Sequence, residues 1–66
     1  MEQHVERMLK EQEDLSEKIE KLDAFISGNS LFKCLLTEEQ EDMKIQLQAM
    51  KIYGMVLNRR IERAIK

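Results

Sequence analysis

Sixty-six residues with a net charge of −2, no proline, no tryptophan and a single cysteine leave room for one domain at most. Chains below roughly 70–80 residues lean on disulfides, a metal or self-association to complete a core. Lone Cys34 excludes the first within a monomer, Cys34 and His4 lie too far apart for the second, and self-association remains.

Val5, Met8, Gln12, Leu15, Ile19, Leu22 and Ile26 follow one another in steps of three and four. That is a heptad seam, with Gln12 its one polar member, and it predicts a helix over about 2–27. Gln12 reads as a register device or as a ligand contact. The other faces carry charge, with acid-to-base pairs such as Asp14 to Lys18 and Glu17 to Lys21 at the helical spacing. Phe25 lies at the seam's margin.

Ser27-Gly28-Asn29-Ser30 predicts the helix end, with Gly28 in the left-handed conformation that helix C-termini favour. Leu31 to Leu36 then read as one helical turn or a packed loop, anchored by Phe32 and Leu36, with Cys34 a small buried hydrophobe. Thr37 and Gln40 fit a capping box that opens a second helix over about 38–64. Glu38, Glu39, Glu41 and Asp42 near its start, and Arg59, Arg60, Arg63 and Lys66 near its end, complement the helix dipole. The basic cluster fits phosphate binding as well, and antiparallel helices would bring it near Glu2 and Glu6.

The second seam runs Met43, Leu47, Met50, Gly54, Leu57, Ile61 and Ala64. Gly54 in that row implies close approach by a facing helix or a ligand. A second apolar stripe, Ile45, Ala49, Ile52 and Val56, runs down another side, with Met55 and Tyr53 beside it. One facing helix covers one side only. Ile45, Ala49, Ile52, Gly54, Met55 and Val56 are therefore the candidate interface of a homo-oligomer. The expected fold is all-α, an antiparallel two-helix hairpin assembled into a helical bundle, with residues 1–66 a single domain.

Catalytic chemistry finds little support. His4 and Cys34 fall at opposite ends of such a hairpin, the carboxylates sit where surface helices carry them, and no glycine-rich phosphate loop occurs. The expectation is a protein that is not an enzyme and needs no cofactor or metal. No apolar run approaches the roughly 20 residues of a membrane span, and residues 1–4 do not open a targeting segment. A pI near 5.4 argues against binding a nucleic-acid polymer. A lone thiol fits a reducing cytoplasm.

Arg7-Met8, Asp14-Leu15, Lys21-Leu22 and Phe25-Ile26, followed by Q-L-x-A-M-x-x-Y-x-x-V-L-x-x-R-I from Gln46 to Ile61, resemble a family of very short bacteriophage proteins. These are common in crAss-like and related gut phages and are early-expressed accessory proteins. In size and hairpin form the family is similar to phage anti-CBASS sponges, helical hairpins that oligomerise and hold cyclic-nucleotide signals between subunits. The resemblance implies an anti-defence sponge in the infected cell's cytoplasm, binding itself and a cyclic nucleotide or NAD-derived signal. Tyr53, Met50 and Phe25 would then offer apolar and aromatic faces to bases, and Lys18, Lys21, Gln46, Asn58, Arg59 and Arg60 would hold phosphates. Tyr53 fits equally as an interface aromatic with its hydroxyl at the edge. The alternative is a helical module that docks on a host or phage protein.

Overall fold

The computed structural model describes residues 3–66, and all the regular structure among them is helical. Helix α1 spans Gln3–Gly28, α2 spans Ser30–Cys34 and α3 spans Thr37–Ile65. The all-helical expectation holds. The plain two-helix hairpin is amended to two long helices lying side by side, joined through a short third one.

Asn29 causes the break. It takes an extended conformation, and its side-chain oxygen accepts a hydrogen bond of 2.9 Å from the Leu31 amide, which caps α2. Gly28 is not left-handed: no glycine in the chain has a positive φ, because Asn29 ends the helix by turning extended after it. The Asn29 amide still donates to the Phe25 carbonyl at 3.3 Å. Only Phe32 of the two expected anchors is buried, with its ring edge-on to Phe25 at 6.1 Å, whereas Leu36 is 74% exposed. Cys34 is exposed rather than buried, its thiol directed at the Ser30 carbonyl 3.7 Å away.

The expected capping box is replaced by a different device. Leu36 holds the N-cap position without a side-chain bond, and Thr37 is already helical. Gln40 instead reaches backwards, donating to the Leu35 carbonyl at 2.9 Å and the Lys33 carbonyl at 3.4 Å. A carboxamide has donors to give, and the carbonyls leaving α2 have no helical partner, so Gln40 serves the end of α2 rather than the start of α3.

The core lies between α1 and α3. Val5, Met8 and Leu15 of α1 bury against Leu57 and Ile61 of α3, with Ile19 and Met50 packed alongside. Leu57 is wholly excluded from solvent. Gln12 donates to the Asn58 side chain at 2.8 Å across the two helices, so the polar seam member sets register as one reading of it expected. Together with Leu15 and Ile19 beside Gly54, these contacts run the helices in opposite directions. Gly54 therefore faces α1 and leaves the candidate oligomer interface. Ala64, the last seam position, is exposed. Two ion pairs within α1 join Lys10 to Asp14 at 3.3 Å and Lys21 to Glu17 at 3.4 Å, so Asp14 turns back to Lys10 instead of forward to Lys18. Glu2 lies outside the described residues.

The result is a rod of 46 × 15 × 14 Å. Its accessible surface of 5329 Å² exceeds the roughly 4,400 Å² expected of a compact monomer of this mass. Large apolar side chains contribute to that surface: Ile45 is 66% exposed and Ile52 58%, with Met55 and Val56 open beside them. Among the described residues, no helix is long and apolar enough to cross a membrane.

Candidate functional site

Two helices side by side leave a furrow on each edge of their contact, and the two edges here differ. One is closed by the Gln12–Asn58 bond, with Asn58 donating onward to Glu62 at 3.2 Å. The other is open. On α3 it presents Gln46, Met50, Tyr53 and Arg60, spaced at four, three and seven residues and so on one flank. On α1 it presents Arg7, Glu11, Asp14, Lys18 and Phe25 by the same rule.

Three grooves follow this open edge. The middle one, about 550 Å³, is lined by Tyr53 and Leu15 with Arg7, Lys10 and Lys18 on one side of the charge balance and Glu6, Glu11 and Asp14 on the other. Towards α2 it shares Lys18 with a groove of about 360 Å³ lined also by Lys21, Leu22, Phe25, Gln46 and Met50. Towards the chain ends lies one of about 310 Å³ lined by His4, Met8, Arg60, Arg63 and Ala64. Three cations against three acids leave the middle groove near neutral, whereas no carboxylate of the described residues lines the flanking grooves. An anionic group is favoured at Lys18 and Lys21 or at Arg60 and Arg63, and a polar neutral group, rich in hydroxyls or amines, between them.

These cations are available. The ion pairs of Lys10 and Lys21 are solvent-exposed, and water screens exposed pairs of this spacing, so a ligand phosphate can displace the carboxylate. The hydrogen bond to Asp14, reinforced by that carboxylate's charge, raises the Lys10 ammonium above its ordinary pKa of 10.5. Lys10 therefore stays charged throughout the neutral range. Tyr53 is 44% exposed, with its ring at the groove wall, and Phe25 is half-buried with its ring edge-on to Phe32.

Of the ligand-binding candidates, Lys18, Lys21, Phe25, Gln46, Met50 and Tyr53 line connected grooves, and Arg60 lies along the same edge. Asn58 does not join them. It sits about 140° around α3 from Tyr53, at the helix's 100° per residue, and its amide is engaged by Gln12 and Glu62. Arg59 falls on the outer face of α3, seven residues beyond Ile52. Arg7, Lys10, Glu11 and Asp14 were missed, although stepping back from Lys18 in fours and threes finds all but Lys10 on that flank. Among the described residues, no three of His, Cys, Asp and Glu come together as a metal site.

No curated protein and no solved structure matches the chain significantly. A family model does, over nearly its whole length: the chain belongs to the Sequestin family, whose model matches residues 2–63.

Proposed function

We propose that this chain is a non-catalytic, phage-encoded anti-defence protein of the infected cell's cytoplasm. It sequesters a nucleotide-type immune signal in pockets completed between subunits of a homo-oligomer. The observation that carries the reading is the open edge, where one aromatic wall adjoins a charge-balanced groove and two basic ones that no described carboxylate lines. A nucleotide has matching parts: a base to stack on Tyr53, hydroxyls for Glu11 and Asp14, and phosphate for Lys18 and Lys21. The family name, Sequestin, is that of a sequestering protein and supports the same reading. Grooves this open on a lone subunit would leave much of such a ligand in water, which is the reason to invoke a second subunit.

Titration calorimetry of the full chain against cyclic nucleotides and NAD-derived signals tests the proposal. Tyr53→Ala, and Lys18→Ala with Lys21→Ala, are expected to weaken the best ligand of the panel by roughly tenfold or more. Asn58→Ala should leave affinity unchanged. Heat from no member of the panel would overturn the nucleotide reading. The exposed stripe of Ile45, Ile52 and Val56 would then favour a module that docks on a host or phage protein, and pulldown at stoichiometric yield would show it.

A further inference from the structure

The outer face of α3 carries a pattern that the core does not use and that the grooves share only at Arg63. At its centre stand Ile45, Ala49, Ile52 and Val56, in steps of four and three. The same steps lead back to Asp42 and Glu38, and forward to Arg59 and Arg63. All eight positions are exposed. This is a second coiled-coil row on the same helix, acidic at its start, apolar in its middle and basic at its end.

A row polarised in that way fits a copy of itself only when the copy runs the other way. Paired antiparallel about a two-fold axis beside Met50 and Lys51, Glu38 meets Arg63, Asp42 meets Arg59, Ile45 meets Val56 and Ala49 meets Ile52, each pair occurring twice. Parallel pairing would set acid against acid and arginine against arginine. Glu38 and Arg63 are about 38 Å apart along the helix, so the row uses most of the 46 Å rod. The geometry points to an isologous dimer in which α3 packs antiparallel on α3 of a second copy in this register.

The flanks of the row follow. Next to it lie Glu39, Gln46, Tyr53 and Arg60 on one side, and in this register Arg60 meets Glu39 of the second copy while Tyr53 meets its Gln46. The open edges of the two subunits thus adjoin, and each groove gains a wall from its neighbour. On the other side Glu41 opposes Glu62, one like-charge pair at the solvent rim against three unlike ones. The pairing stands without any ligand; only the shared groove rests on the sequestration reading.

Sedimentation equilibrium on ligand-free full-length protein, with helix content read by circular dichroism, provides the test. Glu38→Lys with Asp42→Lys, and separately Arg59→Glu with Arg63→Glu, are expected to weaken self-association by roughly tenfold or more, since each dimer then holds four repulsive contacts. The quadruple variant reverses every pair and should self-associate like the parent, and an equimolar mixture of the two double variants should form a heterodimer. Rescue by the quadruple variant does not require a folded monomer. A parent that is monomeric at hundreds of micromolar, double variants that associate unchanged, or a quadruple variant as weak as the doubles would each overturn the pairing. A dimer that takes up no nucleotide would leave the pairing standing and remove the sequestration reading, and nucleotide uptake by a monomeric parent would overturn the pairing and keep nucleotide binding without a pocket shared between subunits.

Discussion

At the scale of single residues, Gly54 separates what spacing reveals from what it conceals. Its place in the heptad row identifies it as a contact position, and α1 does lie over it. A side chain's methyl built there would stand 3.5 Å from Leu15 Cδ2 and 3.8 Å from Ile19 Cδ1, ordinary contact distances. The interaxial distance decides whether a methyl fits, and no sequence pattern carries that distance. Glycine in a helix interior costs about 1 kcal/mol against alanine, with no clash here to offset it. Gly54→Ala is therefore expected to raise the thermal midpoint by about 4–8 °C, as expected for ~1 kcal/mol in a domain this small. A fall in the midpoint on scanning calorimetry would show that the helices approach more closely at this point than the structure has them.

At the scale of the element, the long helices were legible and their joints were not. Seven unbroken seam positions in α1 leave one periodicity to choose from, and six of the seven in α3 turn inwards. The connection has too few residues for a period, so its side-chain bonds decide its form. Asn29 caps a helix that begins after Gly28, and Gln40 is drawn to the carbonyls of Lys33 and Leu35 although Thr37 stands three residues before it. Gln40 was legible as a cap former and Asn29 as part of the helix end; which terminus each serves is a matter of which orphan group lies within reach. The site divides similarly. Helical spacing collects Gln46, Met50, Tyr53 and Arg60, but the neutralising acids of the middle groove come from α1, and only the pairing of helices brings them opposite Tyr53. Gln40→Ala removes two donors from the α2 end and should loosen the joint by about 1 kcal/mol. Amide exchange around residues 31–36 is then expected to accelerate while the Leu57 amide keeps its protection. Equal acceleration at both would mean that the joint and the core open as one unit.

At the scale of the whole molecule, the rod holds more water-facing apolar surface than its core justifies. Among the described residues seven side chains are buried, Phe32 and Leu47 among them, whereas Ile45, Ile52, Met55 and Val56 lie open along one helix. Burying a side chain of this size contributes about 1.5–3 kcal/mol, and ordering a residue of backbone costs roughly 1–2 kcal/mol, so few buried groups leave a narrow margin for the isolated chain. Covering the outer face of α3 would widen it. Stability should then depend on concentration, because a partner that binds only the folded chain shifts unfolding by mass action. The thermal midpoint is expected to rise over a hundredfold increase in protein concentration. Ile52→Glu, which sets a carboxylate in the middle of the stripe, should lower the midpoint and abolish its dependence on concentration. Both effects are read from the same melting curves. A midpoint that is high and constant in the parent would mean that α1 and α3 suffice for each other. The exposed face would then be kept for something other than the stability of the fold.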